Sequence, residues 1–163
     1  MLRTRMILIK RCRRADVDEV NRILTHPGVY PKISDDGSPG VDDFDAGPLL
    51  ESDAFYFLGW VVSGEWAGIW LLKPWNTITY EVHTCILPEH RGKDAIRAAG
   101  AAGEWMFHNT ACRKVVTLIP EWNRPALAFA LSVGMKKEGL LTRSFWKDGE
   151  VSDQQLLGIE KEE

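Results

Sequence analysis

The chain has 163 residues with 20 Lys plus Arg against 23 Asp plus Glu, a formal net charge of −3, and 45% of its residues are hydrophobic. This suits one globular domain over residues 1–163 and excludes a disordered chain; the acidic balance disfavours nucleic acid as a partner. No apolar run approaches the ~20 residues of a membrane span, and Met6-Ile7-Leu8-Ile9 is too short for a signal-peptide core, so no membrane partner is expected.

Cys12, Cys85 and Cys112 are odd in number and far apart. Neither a disulfide framework nor a metal cluster is expected, and a reducing, cytoplasmic compartment is. Arg3, Arg5, Lys10, Arg11, Arg13 and Arg14 make the start of the chain basic. An edge strand over Arg5–Lys10 accounts for them, because Lys and Arg protect exposed edges; a phosphate-binding arm is the functional alternative.

A helix is predicted from Asp16, with Val17, Val20, Ile23 and Leu24 at helical spacing and Pro27-Gly28 as its stop. Residues 30–53 are rich in breakers and read as irregular, with one short helix at Val41–Phe44 or Leu49–Glu51. No Lys or Arg falls between Ile33 and Leu72, while Asp35, Asp36, Asp42, Asp43, Asp45, Glu51, Asp53 and Glu65 all do. A solvated loop explains such a run; a lid that attracts a cationic amine is the alternative.

Strands follow at Ala54–Val62, Trp66–Leu72 and Thr77–Leu87, joined by turns at Ser63-Gly64-Glu65 and Pro74-Trp75-Asn76. A helix over Asp94–Phe107 leads to a strand at Val115–Ile119. Asn123 is placed to cap a helix from Arg124 to Val133, with Gly134 as its stop. A hairpin of Leu140–Trp146 and Val151–Ile159 closes the chain. The order predicts a mixed α/β sheet rather than a doubly wound one. Trp60, Trp66, Trp70, Trp75 and Tyr80 read as core and cross-strand residues rather than a ligand-stacking set.

The crossover from strand 77–87 through helix 94–107 to strand 115–119 predicts two parallel strands. A helix N-terminus then lies at the carboxyl end of the first strand, where free amides and the helix dipole favour an anion such as phosphate. Arg91, Lys93 and Arg97 add positive charge there, and Gly92 permits close backbone approach.

The stretch Ile86-Leu87-Pro88-Glu89-His90-Arg91-Gly92-Lys93 resembles the pyrophosphate loop of the GNAT superfamily of acyl-CoA N-acyltransferases. Pro120-Glu121-Trp122-Asn123-Arg124-Pro125-Ala126 through Gly134-Met135 resembles the second motif of that family. The resemblance implies the GNAT-like fold, a mostly antiparallel mixed sheet of about seven strands flanked by helices. It also implies acetyl-CoA as cosubstrate, no metal, and direct transfer of the acetyl group to an amine acceptor, either a small molecule or a protein amine. A homodimer is compatible with the sequence.

Carried over residue by residue, the cofactor contacts implied are Ile86, Leu87, Arg91, Gly92, Lys93, Asp94, Ala95, Ile96 and Asn123, with the Ile86 and Leu87 amides polarising the thioester. The base is implied on the preceding strand, which nominates Glu81 first and His83 second; Glu81, His83, Cys85 and Leu87 share one face of it. A structural ion pair for Glu81 and a core role for His83 compete with that assignment. Cys85 reads as a small buried hydrophobe before it reads as an acyl acceptor.

The chain departs from the family at three places. Asp94 and Ile96 stand where two small residues belong, and a carboxylate beside a pyrophosphate repels it; Asp94 is alternatively the helix N-cap. Ala130 stands where the family carries a tyrosine that protonates the leaving thiolate, and Ser132 is not equivalent. A GNAT-like domain that has lost catalysis and serves as a binding or assembly module is the competing reading.

Overall fold

The alternating and apolar runs of the sequence assemble into one seven-stranded sheet in the order β1-β2-β3-β4-β5-β7-β6. The structure is a computed structural model that describes residues 6–163. Arg3 and Arg5 of the basic segment lie outside the described residues. The strands are β1 (Leu8–Arg11), β2 (Tyr56–Val62), β3 (Glu65–Pro74), β4 (Thr79–Ile86), β5 (Lys114–Pro120), β6 (Lys136–Lys147) and β7 (Glu150–Glu160). The helices are α1 (Val17–Leu24), α2 (Tyr30–Ile33), α3 (Gly47–Glu51), α4 (Lys93–Asn109) and α5 (Arg124–Val133). No described helix is long and apolar enough to cross a membrane.

The β4–α4–β5 crossover makes β4 and β5 parallel, while every other neighbouring pair is antiparallel. Alternation along β2, β3 and β4 divides the core into two layers. Leu58, Trp60, Trp70, Leu72 and Ile86 face α4, meeting Ala95, Ala98, Ala102 and Met106. Phe57, Ile69, Cys85 and Leu87 face α1, meeting Val20, Ile23 and Leu24.

Residues 30–53 are more ordered than the sequence suggests. Both candidate short helices form, Val41–Asp43 as a 3-10 turn and Leu49–Glu51 within α3, and Tyr30–Ile33 adds α2. The breakers are used rather than defeated: Pro31 and Pro48 fall in first turns, where the missing N–H costs nothing.

At the other end, β6 begins at Lys136 rather than Leu140, because a register shift between Lys137 and Gly139 lets the ladder continue. A second irregularity between Leu141 and Phe145 turns Arg143 to φ 49°. The hairpin enters the sheet through β7, which carries the buried Gln154 and Leu157, and leaves the charged, exposed β6 at the edge. At α5 the sequence signals act as read: Asn123 Oδ1 accepts from the Ala126 amide at 3.4 Å, and Gly134 closes the helix at φ 105°.

Candidate active site

β4 and β5 pair only from Thr79↔Lys114 to Glu81↔Val116, although β4 runs on to Ile86 and β5 to Pro120. Beyond Glu81 the two strands form an open fork. The Leu87 N–H donates to the Ala67 carbonyl at 3.0 Å. Successive amides in a strand point to opposite sides, so Cys85 and Leu87 address β3, whereas Thr84 and Ile86 direct their N–H groups into the fork. The expected pair of amides is corrected accordingly: Ile86 faces the gap with Thr84, and the Leu87 amide is spent on the sheet. Inside the fork, the Thr117 hydroxyl donates to the Val82 carbonyl at 3.2 Å.

At the top of the fork, Gly92 adopts φ 124° and ψ −150° just before α4, and a Cβ built on it meets nothing within 4 Å. An L side chain is strained at that φ, so glycine is required and the backbone stays bare. No side chain caps α4, and its first internal bond runs from the Ile96 amide to the Gly92 carbonyl at 3.1 Å. The amides of Lys93, Asp94 and Ala95 are therefore left for another acceptor.

Asp94 is not the N-cap. It is the second residue of the helix, and its Oδ1 lies 3.6 Å from Arg97 Nη1. Arg91 is also occupied otherwise than expected: its guanidinium donates to the Gly28 and Ile86 carbonyls, at 2.6 Å and 3.3 Å, rather than standing free. Lys93 is exposed, Ala95 is buried and Ile96 is half-buried.

At the foot of the fork, Glu81 accepts from Trp75 Nε1 at 3.0 Å through Oε1, and its Oε2 lies 3.0 Å from His83 Nε2. The contact with His83 and then the bond from Trp75 outweigh burial and hold the Glu81 carboxyl down at about 2. His83 Nε2 has no well-aligned hydrogen-bond partner despite that proximity. Two residues further along the same face, burial pushes the Cys85 thiol up to about 12, which leaves it an inert hydrophobe.

These elements enclose a cavity of about 700 Å³ that takes in Glu81, His83, Thr84, Ile86, Arg91, Thr117 and Asn123 between the sheet, α4 and α5. The wall at Ala130 is apolar and buried, while the Ser132 hydroxyl is exposed and donates to the Ala128 carbonyl at 2.8 Å. Lys32 lines the cavity from α2, its Nζ 5.9 Å from the Trp122 ring, which in turn lies 6.2 Å from Phe145.

A family described as "Protein of unknown function (DUF2824)" matches residues 17–163. The chain belongs to this family. No curated protein matches it.

Among solved structures, this DUF2824 chain is similar to spermidine N-acetyltransferase from Vibrio cholerae in complex with CoA and spermine. The identity is 18% and the TM-score 0.79, over 94% of this chain and 95% of that one. It is similar too to the same enzyme's dodecameric structure in an intermediate state, at 18% identity and TM-score 0.74 over 94% and 93%. A third, in complex with manganese ions, gives 17% and 0.72 over 94% and 92%. The DUF2824 chain thus has the GNAT fold, with the mixed, mostly antiparallel sheet expected of it.

Several residues of the site escaped the sequence reading. Trp75, assigned there to the core, is 50% exposed in the β3–β4 turn and binds Glu81. Its turn position was visible, but nothing local pointed its indole at a carboxylate six residues on. Thr84 and Thr117 matter through the direction of one amide and one hydroxyl, which no pattern of residue types reveals. In the acidic segment, Asp36 accepts from the amides of Asp148 and Gly149, and Asp45 from Asn21 and Gly47, so these carboxylates fasten loops.

Proposed function

We propose that the chain is a single-domain N-acyltransferase that moves an acyl group from its CoA thioester to a primary amine by direct attack. The observation that carries this reading is the fork: unpaired Thr84 and Ile86 amides open into the same cavity as the Glu81–His83 pair. The cavity also reaches Arg91, beside an uncapped helix N-terminus with bare Gly92. The donor set fits CoA: free amides at Lys93, Asp94 and Ala95 for the diphosphate, and fork amides for the extended arm and thioester carbonyl. Its one adverse element is the Asp94 carboxylate, which Arg97 partly offsets.

His83 is the proton acceptor and Glu81 its partner. A carboxyl held at about 2 is a feeble base, whereas an imidazole that takes a proton beside it forms an ion pair. The neutral amine nitrogen bonds to the thioester carbon, the C–S bond breaks, and the amine proton passes to His83. The fork amides bind the oxygen as it gains charge. No tyrosine lines the cavity among the described residues, so the thiolate leaves as such and is protonated by water. The polyamine named for the Vibrio cholerae enzyme finds little counterpart: Glu81 and Glu104 are the carboxylates among the described cavity residues, and Lys32 opposes a second cation.

Release of free CoA thiol from acyl-CoA with a panel of primary amines tests the reading; no amine-dependent release would overturn it. Ala130 favours a second reading, a CoA-binding module without turnover, which the same assay separates when paired with calorimetric titration of CoA. Cytoplasmic location belongs with either reading.

A further inference from the structure

The sheet register sorts the walls of the cavity by face. Residues paired across neighbouring strands point to the same side, and alternate residues along a strand return to it. Glu81 pairs with Val116, so Leu118 and Pro120 of β5 share its face, and Pro120 pairs in turn with Gln154 of β7. Gln154 therefore lies on the face of Glu81 and His83. Phe145 joins them, because it pairs with Ser152, two residues before Gln154. α4 packs against the opposite face, which leaves this side of the fork to the amine acceptor.

Two groups on that side are unspent. Gln154 is 8% exposed and lines the cavity, yet its side-chain amide makes no hydrogen bond among the described residues, whereas the neighbouring Gln155 donates to Glu121 at 3.4 Å. A buried amide left so is costly unless an occupant of the cavity supplies its partner. Independently, Lys32 lines the cavity from α2 and forms no ion pair among the described residues. Its Nζ lies 5.9 Å from the Trp122 ring and that ring 6.2 Å from Phe145, which brings the ammonium towards the Gln154 end. The Glu81 oxygens are taken by Trp75 and His83, and the Arg91 guanidinium by backbone carbonyls. The charge free to meet a ligand on this face is that of Lys32.

We infer that the amine acceptor carries a carboxylate: an aminocarboxylic acid whose nitrogen sits at His83 and whose carboxylate is held between Lys32 and the Gln154 amide. The inference rests on the proposed acyl transfer, since it assigns the far end of that reaction's acceptor. An ammonium and an amide NH₂ both donate, and a carboxylate has two oxygens with which to accept from both. A second amino group in the same place would meet the Lys32 charge as a like charge. Val29, Ile33 and Phe145 give the carbons in between an apolar wall. The N–C bond formed and the C–S bond broken are unchanged, and the carboxylate takes no part in either.

Rates of CoA thiol release by the full chain from acetyl-CoA, with acceptors alike but for one end group, read this out. The set is 4-aminobutanoate, 4-aminobutanamide and 1,4-diaminobutane, with the matching three-, five- and six-carbon sets run alongside. The aminocarboxylate is expected to show a kcat/KM roughly tenfold above the amide and further above the diamine, chiefly through KM, with the lead shrinking as salt rises. Lys32 is exposed, so the fold bears its substitution. Lys32→Glu is expected to reverse the order in favour of the diamine, which a merely structural role would not do; Gln154→Leu narrows the lead without reversing it. Equal rates for the three end groups, a parent chain that prefers the diamine, or an order unchanged in Lys32→Glu would overturn the carboxylate inference and leave N-acyl transfer standing. No amine-dependent release with any acceptor would overturn that reading, and this inference with it.

Discussion

Arg91 ties Gly28 to the end of β4: its Nη2 donates to the Gly28 carbonyl at 2.6 Å and its Nε to the Ile86 carbonyl at 3.3 Å. Gly28 has little freedom there, since a Cβ would come within 2.6 Å of Pro88 Cγ. The guanidinium fork is therefore a strut between the loop after α1 and the loop before α4. Arg91→Lys keeps the charge but loses the fork. It is expected to cost about 1 kcal/mol, a fall in Tm of ~2–4 °C by calorimetry, much as Arg91→Ala does. A lysine variant as stable as the parent would show that the charge alone matters.

His83→Gln is expected to lower kcat by roughly 10²- to 10⁴-fold with the affinity for CoA unchanged, as for loss of a general base. Glu81→Gln removes the partner carboxylate but leaves the imidazole, so its fall in kcat is smaller. The reverse ranking would make Glu81 the base.

Glu81 also leaves a mark on acid stability. Its folded carboxyl lies at about 2 against an ordinary 4.5, so the folded state binds the proton less readily than the unfolded chain does. The stabilisation is present above pH 4.5 and fades as pH falls towards about 2. Urea midpoints compared at ~pH 6 and ~pH 3 should drop less in Glu81→Gln than in the parent chain.

Asp36 holds the acidic segment against the β6–β7 turn. Its Oδ1 accepts from the Asp148 amide at 2.7 Å and its Oδ2 from the Gly149 amide at 2.8 Å, while Lys147 Nζ donates to the Ser34 carbonyl at 2.8 Å. Asp36→Ala is expected to cost about 1–2 kcal/mol and to speed hydrogen exchange selectively at residues 34–38 and 147–149. Uniform exchange changes across the sheet would refute a local latch.

Asp94→Ala removes a carboxylate from the first turn of α4. Affinity for CoA is expected to rise severalfold, more at low ionic strength, since the interaction removed is a screened repulsion. Helix stability falls by a few tenths of a kcal/mol, because an acidic residue there favours the dipole. An affinity indifferent to salt and substitution would place the diphosphate elsewhere.

The sequence by itself determined the elements and much of the order. Helical spacing at Val17–Leu24, the cap at Asn123 with Gly134, and the apolar strands around Ser63-Gly64 are local signals, written in residues a few positions apart. The β4–α4–β5 crossover, and with it a helix N-terminus at a strand end, followed from the same patterns. Local chemistry could not decide where the parallel pairing stops, which way the Leu87 amide points, or that Arg91 spends its guanidinium on Gly28, 63 residues away in the chain. Nor could it show that Asp36 is consumed by a distant turn, or that Trp75 reaches Glu81. Those facts depend on which backbone groups the assembled sheet leaves unpaired and which side chains it brings within hydrogen-bonding distance, and they exist only once the chain has closed on itself.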